Sequence, residues 1–176
     1  MRVLIIRHAP AEDRAEFYQS GQSDELRPLS SQGKAKMRKN VQGLQTIVPQ
    51  IDRIADSPLV RAQQTAGLLH AAYPNAIRET LPALAPAGSE FALLTYLQQQ
   101  ASKTQTIALV GHEPDLGALA TWLLSGQADT WMPLKKGAAC LLEFVEVVEA
   151  GQAELCWMLR PKQLRQLAVQ GTPCTH

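Results

Sequence analysis

Two short apolar runs, Val3-Leu4-Ile5-Ile6 and Ile107-Ala108-Leu109-Val110, constrain this chain more than any other feature. Each is continuous rather than alternating and rich in β-branched residues, the pattern of a strand buried on both faces. Such strands need helices on both sides, and the sequence between them supplies candidates. Met37, Val41 and Leu44 recur at spacings of four and three amid lysines. They predict a helix capped by Ser30 and running to about Leu44. Ile51, Ile54 and Ala55 predict a further strand, and Ser57-Pro58 reads as the cap and first position of a helix that stops before Pro74. Ser89 caps a helix carrying Leu93, Leu94 and Leu97, and Pro114 opens another that ends at Gly126. The segment "GAACLLEFVEVVEAGQAELCWMLRP" predicts a β-hairpin. Residues 9–28 read as a loop with one helical turn, and residues 75–88 as a surface segment. The tail after Pro161 is expected to fray or form one short helix. Strands alternating with helices imply an α/β fold, a three-layer α/β/α sandwich around a mostly parallel sheet. At 176 residues the chain, 1–176, is expected to form one domain.

Composition narrows the function classes. A net charge of +1 argues against a general nucleic-acid binder. The three cysteines, Cys140, Cys156 and Cys174, have no C-x-x-C spacing, so neither a disulfide framework nor a zinc site is expected. No secretory leader or membrane-spanning run is recognisable, so a cytoplasmic location is expected, without membrane partners. No G-x-G-x-x-G or G-x-x-x-x-G-K-[ST] follows a strand, which disfavours a nucleotide-binding module.

In open α/β sheets, ligands bind beyond the carboxyl ends of the strands. Two of the four histidines stand there: His8 after Val3–Ile6 and His112 after Ile107–Val110. Arg7 precedes His8, and Arg61 falls about one turn into a helix that follows a strand. Two imidazoles and two guanidiniums without metal-ligand spacing fit phosphate binding better than metal-assisted hydrolysis. His70, inside a helix, and His176, at the end, carry no such context.

The segments "LIIRHAPAE", "RPLSSQG", "DSPLVRAQQT" and "LVGHEPDLGALA" fall in order between residues 4 and 120. Together they resemble the histidine phosphatase superfamily, with its phosphoglycerate-mutase-like fold, and in particular its SixA-type phosphohistidine phosphatase branch. The resemblance implies that His8 is the nucleophile, becoming a phosphohistidine that water then hydrolyses. Arg7, Arg61 and His112 would surround the phosphoryl group. Ser30 would lie near the phosphate as well as cap its helix. No metal or organic cofactor is implied. The expected partner is a phosphohistidine-bearing protein, such as a histidine-phosphotransfer domain, or else a small phosphorylated substrate.

The chain departs from the family pattern in two places. Ala9 stands where glycine usually follows the nucleophile, so its methyl either crowds the phosphate or packs beneath it. No carboxylic acid stands in a convincing motif for protonating a leaving group; Glu79, Glu90 and Glu113 are the candidates. A phosphoramidate, whose imidazole can leave already protonated, needs such an acid least. The short segments able to overhang the site also suit a protein substrate. The alternatives are a phosphomonoesterase for a small sugar phosphate or nucleotide, and a catalytically silent phosphate-binding module.

Overall fold

The computed structural model describes residues 1–103 and 105–170; Cys174 and His176 lie outside the described residues. The chain runs β1 (Arg2–Arg7), α1 (Arg14–Tyr18), α2 (Ser31–Ile47), β2 (Arg53–Asp56), α3 (Val60–Ala72), β3 (Ile77–Thr80) and α4 (Glu90–Gln100). It continues with β4 (Thr106–Gly111), α5 (Asp115–Ser125), β5 (Ala139–Phe144), β6 (Ala153–Leu159) and α6 (Pro161–Gln170). Single 3₁₀ turns occupy Asp24–Leu26 and Pro82–Leu84.

The six strands form one sheet in the order β3-β2-β4-β1-β5-β6. The pairs β1/β4, β2/β4 and β2/β3 are parallel, whereas β5 is antiparallel to both of its neighbours. Helices cover both faces, and the pleat of β1 decides which side chain meets which layer. Leu4 and Ile6 join Met37 and Leu44 of α2, Ala66 and Leu69 of α3, and Leu164 of α6. Val3 and Ile5 join Leu93 and Leu97 of α4 and Leu119 and Leu123 of α5. The three-layer α/β/α sandwich follows from these two apolar clusters, each of which hides one face of the same strand.

Local structure differs from expectation in two places. The surface segment 75–88 contains β3, an edge strand whose four residues are polar or exposed, so it shows no apolar pattern. Its attachments are ionic: Arg78 Nε lies 2.8 Å from Asp56 Oδ2, and Arg53 Nη1 2.8 Å from Glu79 Oε1. Ser57-Pro58 does not start a helix. Instead α3 begins at Val60 with Leu59 in the cap position, and Ser57 continues the line of β2 by donating its N–H to Val110. Of the two expectations for the tail, residues 161–170 follow the second and form one short, docked helix. Leu164 is fully buried, and α6 approaches α2 so closely that a Cβ at Gly43 would fall 1.8 Å from the Leu164 carbonyl oxygen. Only glycine permits that approach.

Candidate active site

Parallel pairing of β1 with β4 places Arg7 opposite Gly111, so the two residues that follow, His8 and His112, emerge side by side. The His8 N–H donates to the Gly111 carbonyl (3.0 Å), extending the ladder one step. The ring centroids lie 5.1 Å apart, with planes inclined at 54°. Both side chains are buried.

His8 Nδ1 is 2.7 Å from the carbonyl oxygen of Ala9. A carbonyl only accepts, so Nδ1 carries the proton and Nε2 presents a lone pair. Burial, opposed by the Ala9 hydrogen bond and reinforced by His112, Arg61 and Arg7, lowers the His8 pKa to about 3. The ring is therefore neutral at physiological pH. His112 is lowered to about 4, again by burial first and then by Arg61 and Arg7. Its Nε2 lies 2.8 Å from Ser57 Oγ, and its Nδ1 is buried without a hydrogen-bond partner in the protein.

The cations are held by the surrounding chain. Arg7 Nη1 donates to the Leu134 carbonyl (2.7 Å), while its Nε has no protein partner. Arg61 Nη1 donates to the Asp24 carbonyl (2.8 Å), and Nη2 lies 3.2 Å from Asp24 Oδ2. Its Nε is likewise unpartnered. The same Asp24 carboxylate receives Arg27 Nε at 2.8 Å and Arg14 Nε at 3.4 Å. These arginines hold the Asp24 carboxyl below its ordinary pKa despite burial. Lys136 is lowered, by burial first and then by the neighbouring guanidiniums. Arg7, Arg14, Arg27, Arg61 and Lys136 line an open cleft of about 440 Å³ with His8 and His112, against the carboxylates Glu12, Asp13 and Glu113. The excess of fixed positive charge makes the cleft an anion site.

Of the residues singled out in the sequence, Arg7, His8, Arg61, His112 and Glu113 line this cleft. Glu113 accepts from the Leu134 N–H (3.1 Å), and burial raises its pKa. The other two candidate acids are placed elsewhere. Glu79 is bound to Arg53 and to the Tyr96 hydroxyl (2.8 Å) at the sheet edge, and Glu90 borders not the cleft itself but a recess between α4 and α5 that shares His112 with it. Ser30 caps α2, accepting from Gly33 N–H (3.0 Å) and donating to the Pro10 carbonyl (3.3 Å). It is not among the residues lining the cleft. The Ala9 methyl is fully buried in the cluster beneath α2 and α3, and the Ala9 N–H donates to Thr65 Oγ1 (3.0 Å). Thr65 in turn donates to the Arg61 carbonyl (2.7 Å), coupling the loop after β1 to the first turns of α3.

Sequence reasoning missed Arg27, Asp24, Ser57 and Lys136. Arg27 and Ser57 lie inside segments already singled out, "RPLSSQG" and "DSPLVRAQQT", but local chemistry explained both as an ordinary loop residue and a helix cap. Among the described residues, no three His, Cys, Asp or Glu side chains are grouped as a metal site would require, and no helix is long and apolar enough to cross a membrane.

A buried, neutral histidine facing a cluster of guanidiniums at the carboxyl ends of parallel strands defines a phosphoryl-handling enzyme. A family model described as the histidine phosphatase superfamily (branch 1) matches residues 3–84. An uncharacterized protein of Picosynechococcus sp. is 36% identical over 137 residues, which make up 77% of this chain and 81% of that one. The phosphohistidine phosphatase SixA of Escherichia coli is 27% identical over 168 residues, 94% of this chain and 97% of that one. Among solved structures, the protein histidine phosphatase SixA complexed with tungstate superimposes with a TM-score of 0.77 at 27% identity, covering 93% of this chain and 99% of that one. The chain belongs to the histidine phosphatase superfamily, on its SixA-type branch. It is a phosphatase with the phosphoglycerate-mutase-like fold.

Proposed function

We propose that this phosphatase hydrolyses phosphohistidine, or a related phosphoramidate, on a protein, through a covalent intermediate on His8. The observation that carries the reading is the 2.7 Å hydrogen bond from His8 Nδ1–H to the Ala9 carbonyl. It fixes the tautomer whose Nε2 lone pair is free to attack phosphorus. As the Nε2–P bond forms, the substrate's P–N bond breaks, and its electron pair stays on the departing imidazole nitrogen. A phosphoimidazole already protonated on its other ring nitrogen leaves as neutral imidazole, so no acid has to deliver a proton. The phosphorylated His8 keeps its Nδ1 proton on the Ala9 carbonyl and is then itself a protonated phosphoimidazole. Water attacks it, the Nε2–P bond breaks, and inorganic phosphate leaves with the water's protons shared between phosphate and solvent. His8 returns to its starting tautomer without a proton having moved on the ring.

Arg7, Arg61 and His112 stabilise charge on the equatorial oxygens as the phosphoryl group passes between the two nitrogens. Arg27 and Lys136 add to the positive field of the cleft. The open cleft favours a phosphorylated side chain presented by a protein, and the likeness to the phosphohistidine phosphatase SixA supports the same class. The test is a substrate panel: a protein carrying phosphohistidine, small sugar phosphates, nucleotides and p-nitrophenyl phosphate. The reading expects the highest kcat/KM for the phosphohistidine protein. A sugar phosphate or nucleotide turned over faster than the phosphoprotein would overturn it.

A further inference from the structure

The segment 133–138 is shared by two depressions. Lys136 lines the phosphate cleft, whereas Pro133, Lys135 and Ala138 line a groove of about 910 Å³. Its wall is tied to the active site, because Arg7 donates to the Leu134 carbonyl and Glu113 accepts the Leu134 N–H. The floor is apolar and open to solvent: Trp131 is 55% and Leu155 46% exposed, with Met158 beside them. Leu155 and Met158 belong to β6, the edge strand opposite β3. The rim carries Lys135, Arg160 and Lys162, and no carboxylate is among the lining residues.

An exposed apolar floor with a rim of one charge sign marks a protein-docking surface rather than a metabolite pocket. We infer that this groove docks an acidic, amphipathic face of the phosphoprotein substrate while its phosphorylated side chain reaches His8. The inference rests on the proposed protein substrate and names the surface that recognises it. Charge complementarity selects the occupant. The rim continues the positive field of the cleft across their shared wall, so one acidic partner is attracted to both. A second copy of this chain would bring the same cationic rim against itself. A small phosphorylated molecule would fill the cleft and leave the groove uncovered.

The test uses two substrates, an acidic histidine-phosphotransfer domain carrying phosphohistidine and free phosphoramidate. It compares wild type with Trp131→Ala and with Lys135→Glu/Lys162→Glu. The inference expects the phosphoprotein KM to rise roughly tenfold or more in the charge-reversed variant and several-fold in Trp131→Ala. Phosphoramidate turnover stays within about twofold, since no altered side chain lines the cleft. If wild type prefers the phosphoprotein and both variants keep that preference, the groove is not the docking surface, although the protein-substrate reading stands. If wild type shows no preference for the phosphoprotein, that reading fails and the groove assignment fails with it. A wild-type dimer that Trp131→Ala dissociates would also overturn the inference, by assigning the groove to self-association.

Discussion

Ser57 Oγ lies 2.8 Å from His112 Nε2, joining the residue that follows β2 to the imidazole that follows β4. Ser57 Oγ also accepts the Leu59 N–H (3.3 Å), and His112 Nε2 is the acceptor within reach of its hydroxyl proton, so we assign the donation from Ser57 to Nε2. The proton of neutral His112 then resides on Nδ1, which has no protein partner and is available as a donor to a phosphoryl oxygen. Ser57 is thus proposed as a positioning residue for His112. Ser57→Ala is expected to lower kcat roughly tenfold, about the worth of one buried hydrogen bond, with little change in KM. Ser57→Thr, which keeps the hydroxyl, restores most of the loss. An equal loss in both variants would mean that Ser57 matters for packing alone.

The two lowered histidine pKa values make stability depend on pH, in a direction that can be worked out. The unfolded chain binds protons at histidine below about 6.5, whereas folded His8 and His112 stay neutral down to about 3 and about 4. Between those limits the unfolded state holds more protons, so stability falls as pH falls. The slope is at most about 1.4 kcal/mol per pH unit for each histidine. Asp24 and Asp52, lowered from an ordinary 3.8, act in the same direction at the acid end of this window, and Glu113, raised from 4.5 by burial, acts against the histidines. The comparison is therefore made between pH 5 and pH 7, where the two histidines outweigh the single carboxyl. Urea unfolding is expected to give a stability about 2 kcal/mol or more lower at pH 5 than at pH 7. His8→Asn should remove part of that difference. A stability that is flat over this range would contradict the burial argument.

The docking of α6 is tested through Gly43. A methyl at this position meets the Leu164 carbonyl at 1.8 Å, so Gly43→Ala must push α6 away from α2. A loss of about 1–3 kcal/mol is expected, as for other overpacked sites. That corresponds to a fall in Tm of several degrees for a chain of this size. Phosphoramidate turnover at low temperature should change little, because α6 contributes no residue to the cleft lining. An unchanged Tm would show that the contact between the two helices relaxes without cost.

The parts of this fold that were legible in the sequence are those written in apolar pattern. The runs at Val3–Ile6 and Ile107–Val110 announced β1 and β4, and the stripe of Met37, Val41 and Leu44 announced α2, because burial leaves that signature directly. β3 left none, being held at the sheet edge by ion pairs to Arg53 and Asp56 rather than by a buried face. The neighbourhood of His8 and His112 could be read because both follow buried strands. Ser57 was misread because a serine before proline is equally good chemistry for a helix cap. Arg27 and Lys136 reach the cleft through tertiary structure that no local spacing encodes.

Glu113 is the one of the three candidate acids that borders the cleft, and burial raises its pKa. If it supplies a proton, it should matter only where the leaving group needs one. Glu113→Gln is expected to slow hydrolysis of an alkyl phosphate by tenfold or more, in the range of a lost general acid, while phosphoramidate turnover falls far less. Equal losses on the two substrates would assign Glu113 to holding the Leu134 backbone instead.

The central claim is that His8 carries the phosphoryl group. Wild type is incubated with labelled phosphoramidate, quenched within the first turnovers and resolved under alkaline and acidic conditions. The account predicts a base-stable, acid-labile label on His8 that decays as phosphate is released and is absent from His8→Ala, which is inactive. Full turnover by His8→Ala, or turnover by wild type with no phosphoenzyme at any quench time, would contradict it.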